Sequence, residues 1–188
     1  MSLKDIIDDD RTDKNTVHSY LDLYQNLLIN KKETATNVLE IGICYGGSIK
    51  MWHDFFSNAT IYGLDKFPIE QIWNGIKNNN RIILHTSVDA YDEDFVKTTF
   101  SDNKNHFDMI LDDGPHTLES MKKFINYYCP LLKDDGILII EDVQSWDWID
   151  ILKNEVPENL KKYVQTYDLR ENKNRYDDIV FAINLFEN

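Results

Sequence analysis

Val38-Leu39-Glu40-Ile41-Gly42-Ile43-Cys44-Tyr45-Gly46-Gly47-Ser48 is the stretch on which the fold turns. An apolar run, Asn37 to Ile43, breaks at glycines and passes directly into Ser48 to Phe56, whose apolar residues recur at helical spacing. Strand, tight turn and helix in that order form the first half of a βαβ unit. Working outward, further short runs rich in Val, Ile and Leu lie at Thr60 to Leu64, Arg81 to His85, Phe107 to Leu111 and Gly136 to Ile140. Between them, Ile69 to Asn78, Asp92 to Phe100 and Thr117 to Leu132 carry helical spacing. Runs that are apolar on both faces suit a parallel sheet covered by helices on both sides. The pattern predicts an α/β, Rossmann-like, doubly wound sheet of five parallel strands.

The two ends of the chain read differently. Tyr163 to Leu169 and Asp178 to Leu185 are strand-like, and the polar link Arg170 to Tyr176 is too short for a crossover helix, so they are expected to form an antiparallel hairpin at the sheet edge. At the other end, Val17, Tyr20, Leu21, Tyr24, Leu27 and Leu28 make one apolar stripe, predicting a helix over Asp13 to Asn30. No repeat or linker divides the chain. The expectation is a single domain over 1–188, with an N-terminal helical appendage (1–35) on a Rossmann-like core (36–188).

Composition narrows the function classes. The chain has 188 residues, and 20 Lys+Arg against 33 Asp+Glu give a formal charge of -13, which repels phosphate backbones and anionic membrane surfaces. Neither a nucleic acid nor a membrane is an expected partner. No apolar run approaches the roughly 20 residues of a membrane span, and Met1 to Asp10 is acidic where a secretory leader is basic, so a cytoplasmic location is expected. Cys44 and Cys129 lack the spacing of a disulfide framework or a zinc site and read as reduced structural thiols.

In an open α/β sheet, ligands bind beyond the carboxyl ends of the strands. The first such end has its glycines as Gly42-x-x-x-Gly46-Gly47, which is not the spacing of a dinucleotide fingerprint. The second ends in Asp65, placed to accept hydrogen bonds from ribose hydroxyls. The last two strand ends, Asp112-Asp113-Gly114-Pro115-His116 and Glu141-Asp142, converge if their strands are neighbours, and such a carboxylate cluster calls for a cation. Oxygen ligands favour Mg²⁺ or a similar hard divalent ion. His116, beside that cluster, is the candidate base. His18, His53, His85 and His106 read as packing or surface residues, and Asp8-Asp9-Asp10 as a solvated terminus. Trp146 and Trp148, expected in the loop after Glu141-Asp142, could wall a sugar site or close a hydrophobic seam, while Tyr45 and Trp52 read as packing residues.

These residues resemble a known family. Val38 to Gly42 with Gly46-Gly47-Ser48, then Ile61-Tyr62-Gly63-Leu64-Asp65, are similar to motif I and the acidic second loop of class I S-adenosylmethionine-dependent methyltransferases. Asp112-Asp113-Gly114-Pro115-His116-Thr117 and Gly136 to Asp142 resemble the metal-dependent sugar O-methyltransferases of the macrocin and mycinamicin type, with their cephalosporin hydroxylase-like relatives. Thr12-Asp13-Lys14 and His18-Ser19-Tyr20 resemble the stretch that precedes the fold in that group. The resemblance implies that Glu40, Gly42 and Gly46 hold the methionine part of S-adenosylmethionine, Asp65 its ribose and Asp89 its adenine, with Asp112 against the cofactor. It also implies Asp113, Glu141 and Asp142 as ligands of Mg²⁺ or another divalent cation, and His116 as base. Two departures are visible: the macrolide enzymes carry an additional N-terminal domain, so substrate identity does not transfer, and Ala90 stands where relatives often have Gln after the third-loop acid.

The expected activity is therefore O-methylation of a sugar or glycosylated small molecule. The alternatives are methylation of a catechol or another small diol, and a non-catalytic S-adenosylmethionine-binding domain; the glycine spacing argues against a NAD-dependent oxidoreductase. A homodimer that closes the site with the N-terminal helix is compatible with this reading.

Overall fold

The computed structural model describes residues 1–186. A short helix α1 (Leu3–Ile6) and α2 (Leu21–Leu28) precede β1 (Asn37–Ile41), α3 (Gly47–Phe55), β2 (Thr60–Asp65), α4 (Asn74–Lys77), β3 (Ile82–Thr86) and α5 (Glu93–Thr99). Then follow β4 (Phe107–Asp112), α6 (Leu118–Tyr128), β5 (Leu132–Ile140), α7 (Trp148–Glu155), β6 (Val164–Asp168), α8 (Arg170–Lys173) and β7 (Ile179–Asn184). The sheet order is β3-β2-β1-β4-β5-β7-β6. β1 to β5 run parallel, and β7 joins β5 antiparallel with β6 outside it, as the alternation and the short polar link predict.

Chain order reverses between β1 and β4, and ligand space in such a sheet opens at that point. Two apolar layers fix the strands that flank it. Trp52, Phe55 and Phe56 of the α3 region pack with Tyr20, Tyr24 and Leu28 on one face of the sheet, and Phe107, Phe124, Tyr128 and Phe181 fill the other. β4 and β7 are buried along their whole length, which explains the apolar runs Met109 to Leu111 and Ile179 to Ile183 within them.

Three predicted elements differ. The N-terminal helix covers Leu21–Leu28 and not Asp13 to Asn30, because Asp13 to Ser19 fold into turns in which the N–H groups of Val17 and His18 both donate to the Asp13 carbonyl. Ile69 to Asn78 splits into a 3-10 turn and the short α4, since Ile72 and Trp73 take extended backbone between them. Trp148 begins α7, whose stripe Ile149 and Leu152 docks on α6, so it does not stand in a loop.

Candidate active site

The strand ends meet as the spacing of the carboxylates requires. Asp113 follows β4, Glu141 and Asp142 follow β5, and the two strands are hydrogen-bonded neighbours with Asp112 opposite Ile140. Gly42 lets β1 turn beneath Asp113: at φ +80°, a Cβ there would lie 1.9 Å from the Asp113 carbonyl oxygen. Cys44, His116 and Asp142 also adopt positive φ (50°, 53° and 54°), a region that residues other than glycine enter uncommonly. Such strain concentrated at one strand edge marks a site where geometry has been favoured over local stability.

One oxygen of each exposed-edge carboxylate is held from behind. Asp113 Oδ2 accepts from Lys14 Nζ at 2.7 Å, while Asp113 Oδ1 lies 3.7 Å from His116 Nε2. Asp142 Oδ1 accepts from the Tyr20 hydroxyl, while Asp142 Oδ2 lies 3.6 Å from His116 Nε2. One atom each of Asp113, His116 and Asp142 lie within 4.8 Å of one another, so the two carboxylate oxygens are spaced to face a divalent ion with the imidazole beside it.

Glu141, expected among the metal ligands, is placed differently: one oxygen is bonded by Lys14 and the other by the Tyr24 hydroxyl. It stands behind Asp113 and Asp142 and is not in their ligand group.

Burial pushes Asp113 and Asp142 up to about 7 and Glu141 up to about 8, so ionising these carboxylates calls for positive charge beside them. For Lys14, burial opposes charge, but Asp113, Glu141 and Glu40 outweigh it and hold its pKa well above the ordinary value. Burial, with help from the Lys14 charge, lowers the pKa of His116 and favours a neutral imidazole at neutral pH.

Two cavities open at this edge. The first, about 640 Å³, is lined by Gly42, Asp65, Val88, Asp89 and Tyr91 among others. Asp65 shapes it by accepting the Cys44 N–H at 2.7 Å and the Phe67 N–H at 2.8 Å, and Asp89 accepts the Tyr91 N–H at 2.9 Å. The second, about 560 Å³, is walled by Asp9, Arg11, Asp13, His18, Arg175 and Asp177 above Asp113, His116 and Asp142. Gly42, Cys44 and Asp113 line both cavities, so the two spaces share a wall at the carboxylate cluster.

The expected cofactor residues divide accordingly. Gly42, Asp65 and Asp89 line the first cavity. Glu40, Gly46 and Asp112 line neither. Glu40 is fully buried under the turn, where one oxygen accepts from Ser48 Oγ at 2.7 Å and from Trp52 Nε1 at 3.2 Å and so braces α3. Gly46 faces Ile76, and Asp112 is capped by the Tyr91 hydroxyl.

Trp146 is exposed under the Arg170 guanidinium and Trp148 packs on the core, and neither lines either of these two cavities. Tyr45 is exposed and stacks on Phe67, while Trp52 is fully buried.

Against these placements, the family is settled by comparison. A model described as a methyltransferase domain matches residues 39–143. The chain belongs to this methyltransferase family. The matched segment runs from β1 through the carboxylates after β5, and so contains every strand end described above.

The chain is 27% identical over 133 residues to a Streptomyces olivaceus tetracenomycin-C 3'-O-methyltransferase acting on a methoxyrhamnosyl form, covering 67% of this chain and 32% of that protein. It is 29% identical over 140 residues to the demethylmacrocin O-methyltransferase of Streptomyces fradiae, covering 71% and 34%. The chain thus spans about a third of the length of these curated relatives. Among solved structures, the MycE methyltransferase of the mycinamycin pathway, in complex with Mg, S-adenosylhomocysteine and mycinamycin VI, superposes with a TM-score of 0.75 at 20% identity. That match covers 98% of this chain and 54% of MycE. A Staphylococcus aureus protein described as a caffeoyl-CoA O-methyltransferase gives 0.61 at 18%, covering 98% and 92%. These likenesses establish a methyltransferase fold with its antiparallel C-terminal strands.

Sequence reading missed part of the site. Lys14, His18, Tyr20, Tyr24, Asp177 and Asp178 all reach the carboxylate edge. For Lys14, His18 and Tyr20 the signal was present only as the Thr12-Asp13-Lys14 and His18-Ser19-Tyr20 resemblance; Tyr24, on an apolar stripe, reads as packing, and Asp177 and Asp178 carry no local signal. Asp9 and Asp10, expected as a solvated terminus, line the second cavity. No helix among the described residues is long and apolar enough to cross a membrane.

Proposed function

We propose that this chain is an S-adenosylmethionine-dependent, divalent-metal-assisted O-methyltransferase acting on a hydroxyl of a sugar or glycosylated small molecule. The observation that carries the reading is the shared wall: one cavity suited to a nucleoside and one polar cavity meet at Gly42, Cys44 and Asp113, beside His116 and Asp142. Asp65 and Asp89 suit ribose and adenine in the first cavity, between the apolar side chains of Val88, Ala90 and Tyr91. Asp113 and Asp142 would hold a divalent cation through the oxygens that face His116, with Glu141 as the third carboxylate behind them.

When bound, the cofactor supplies an electrophilic methyl group and the cation supplies Lewis acidity. The rest is positioning by the protein. The second cavity holds the acceptor with its hydroxyl at the junction, and His116 Nε2 takes the hydroxyl proton. The lowered pKa of His116 keeps that nitrogen free near neutral pH. Several acidic residues, Thr12, Thr16, Arg11 and Arg175 line the acceptor space, a polar set that favours an acceptor with several hydroxyls. The relatives named for glycosylated antibiotics support the sugar class, and the S. aureus likeness supports a catechol or small diol as second reading.

The test is methyl transfer from labelled S-adenosylmethionine to a panel of sugars, glycosides and diols, with Mg²⁺ or with EDTA. Transfer to sugars that EDTA abolishes supports the reading; undiminished transfer by Asp142→Ala in EDTA contradicts the role of the metal. Binding of S-adenosylhomocysteine with no transfer to any acceptor would leave a binding domain.

A further inference from the structure

Lys14 is 1% exposed, an unusual position for a lysine, and it belongs to the segment before the Rossmann-like core. Its Nζ bonds Glu141 Oε1, lies 2.7 Å from Asp113 Oδ2 and 3.5 Å from Glu40 Oε1. Those carboxylates come from three adjacent strands, β1, β4 and β5. Glu40 Oε1 is buried and has no hydrogen bond, so the ammonium is the charge that faces it.

The segment is seated to deliver that charge. The Arg11 backbone crosses α3 at Gly47, where a Cβ would meet the Arg11 carbonyl oxygen at 2.2 Å. The Arg11 guanidinium lies 4.2 Å from the centre of the Trp73 ring, and His18 and Ser19 bond Asp178. Both sides of Lys14 are therefore tied to the core.

We propose that Lys14 is a built-in cation and positioning residue: it balances Glu141 and Asp113 so that the carboxylate edge is assembled before any divalent ion arrives. The proposal rests on the metal reading above only for what arrives, not for what Lys14 does. Removing the cation of a buried cluster leaves its carboxylates uncompensated, and neutralising one of them as well lessens that cost. A divalent ion nearby can also take over part of the missing charge, since charges a few ångströms apart in a buried site interact strongly.

The experiment compares the full chain with Lys14→Met, Lys14→Arg and the double variant Lys14→Met/Glu141→Gln, by thermal melts without metal and by Mn²⁺ titration followed by electron paramagnetic resonance. Lys14→Met is expected to melt lower than the parent without metal, and to bind Mn²⁺ at least about tenfold tighter than the parent. Lys14→Arg is expected to keep the parent affinity. If Lys14→Met fails to fold without metal, Mg²⁺ is expected to restore a cooperative melt. The double variant is expected to melt above the single one without metal, because one of the three carboxylates left facing the missing ammonium has been neutralised.

A double variant no more stable than Lys14→Met overturns the proposal, as does Mn²⁺ affinity unchanged or weakened in a folded Lys14→Met chain. The metal-free melts are read independently of Mn²⁺. A parent chain that binds no Mn²⁺ therefore overturns the metal reading, while the rescue by Glu141→Gln still decides the role of Lys14.

Discussion

His18 Nδ1 lies 2.7 Å from Asp178 Oδ1, joining residues 160 positions apart and fastening the segment before the core to the strand that closes it. Asp178 is fully buried, and its second oxygen accepts from Ser19 Oγ at 2.9 Å. Asp178→Ala removes both bonds and is expected to lower stability by about 2–4 kcal/mol. Limited proteolysis should then cut first between residues 8 and 20. A melt within about 0.5 kcal/mol of the parent would show that the segment is held elsewhere.

Gly42 gives a second prediction. Its φ of +80° and the 1.9 Å approach of a Cβ to the Asp113 carbonyl leave no room for a side chain. Gly42→Ala should cost at least about 2 kcal/mol, because the turn must distort or the strand end must move. The same change should weaken both cofactor and metal binding, since Gly42 and Asp113 belong to the shared wall.

A third prediction concerns pH at a site remote from the chemistry. Asp108 is buried, and although burial opposes its charge, Lys133 Nζ at 2.8 Å and the N–H groups of Thr36 at 2.8 Å and Asn37 at 3.0 Å hold it below the usual carboxylate range. A depressed folded-state pKa contributes stability above the unfolded value of about 3.9, which is lost as pH falls through the folded value. Asp108→Asn should therefore cost about 1.5–3 kcal/mol at pH 7. The difference from the parent should shrink once pH drops below about 4. Chemical denaturation at both pH values checks it.

Asp65 supplies a fourth. It lines the nucleoside-suited cavity with part of its carboxylate still available after accepting the Cys44 and Phe67 N–H groups. Asp65→Ala should weaken S-adenosylhomocysteine by at least about tenfold, the equivalent of one charge-assisted hydrogen bond to a ribose hydroxyl. Calorimetric titration at constant Mg²⁺ measures it, and unchanged affinity would remove Asp65 from the cofactor site.

The parallel strands were legible because burial on both faces demands continuous apolar runs, and the hairpin because seven polar-link residues cannot cross a sheet. Asp113 and Asp142 were legible as strand-end acids, and the prediction that they converge needed only that β4 and β5 be neighbours. The bracing of α3 by Glu40 was not legible, because its position at a glycine turn is compatible equally with lining a pocket and with holding α3 from below. Lys14 and Asp178 carry no local periodicity. Their roles arise from contacts spanning 99 to 160 positions, which exist only once the N-terminal turns fold across the strand ends. The shortened α2 has the same origin: Asp13 to Ser19 leave the helix so that Lys14 and His18 can reach the acids.

The most direct measurement is a thermal melt of the chain with S-adenosylhomocysteine, with NAD and with neither, each with and without Mg²⁺. At about 100 times its Kd, S-adenosylhomocysteine should add roughly 2.7 kcal/mol, raising Tm by about 5–11 °C for a domain of this size. NAD should give no shift. A shift with NAD only, or with neither ligand, would contradict the assignment of the Asp65 and Asp89 cavity to S-adenosylmethionine.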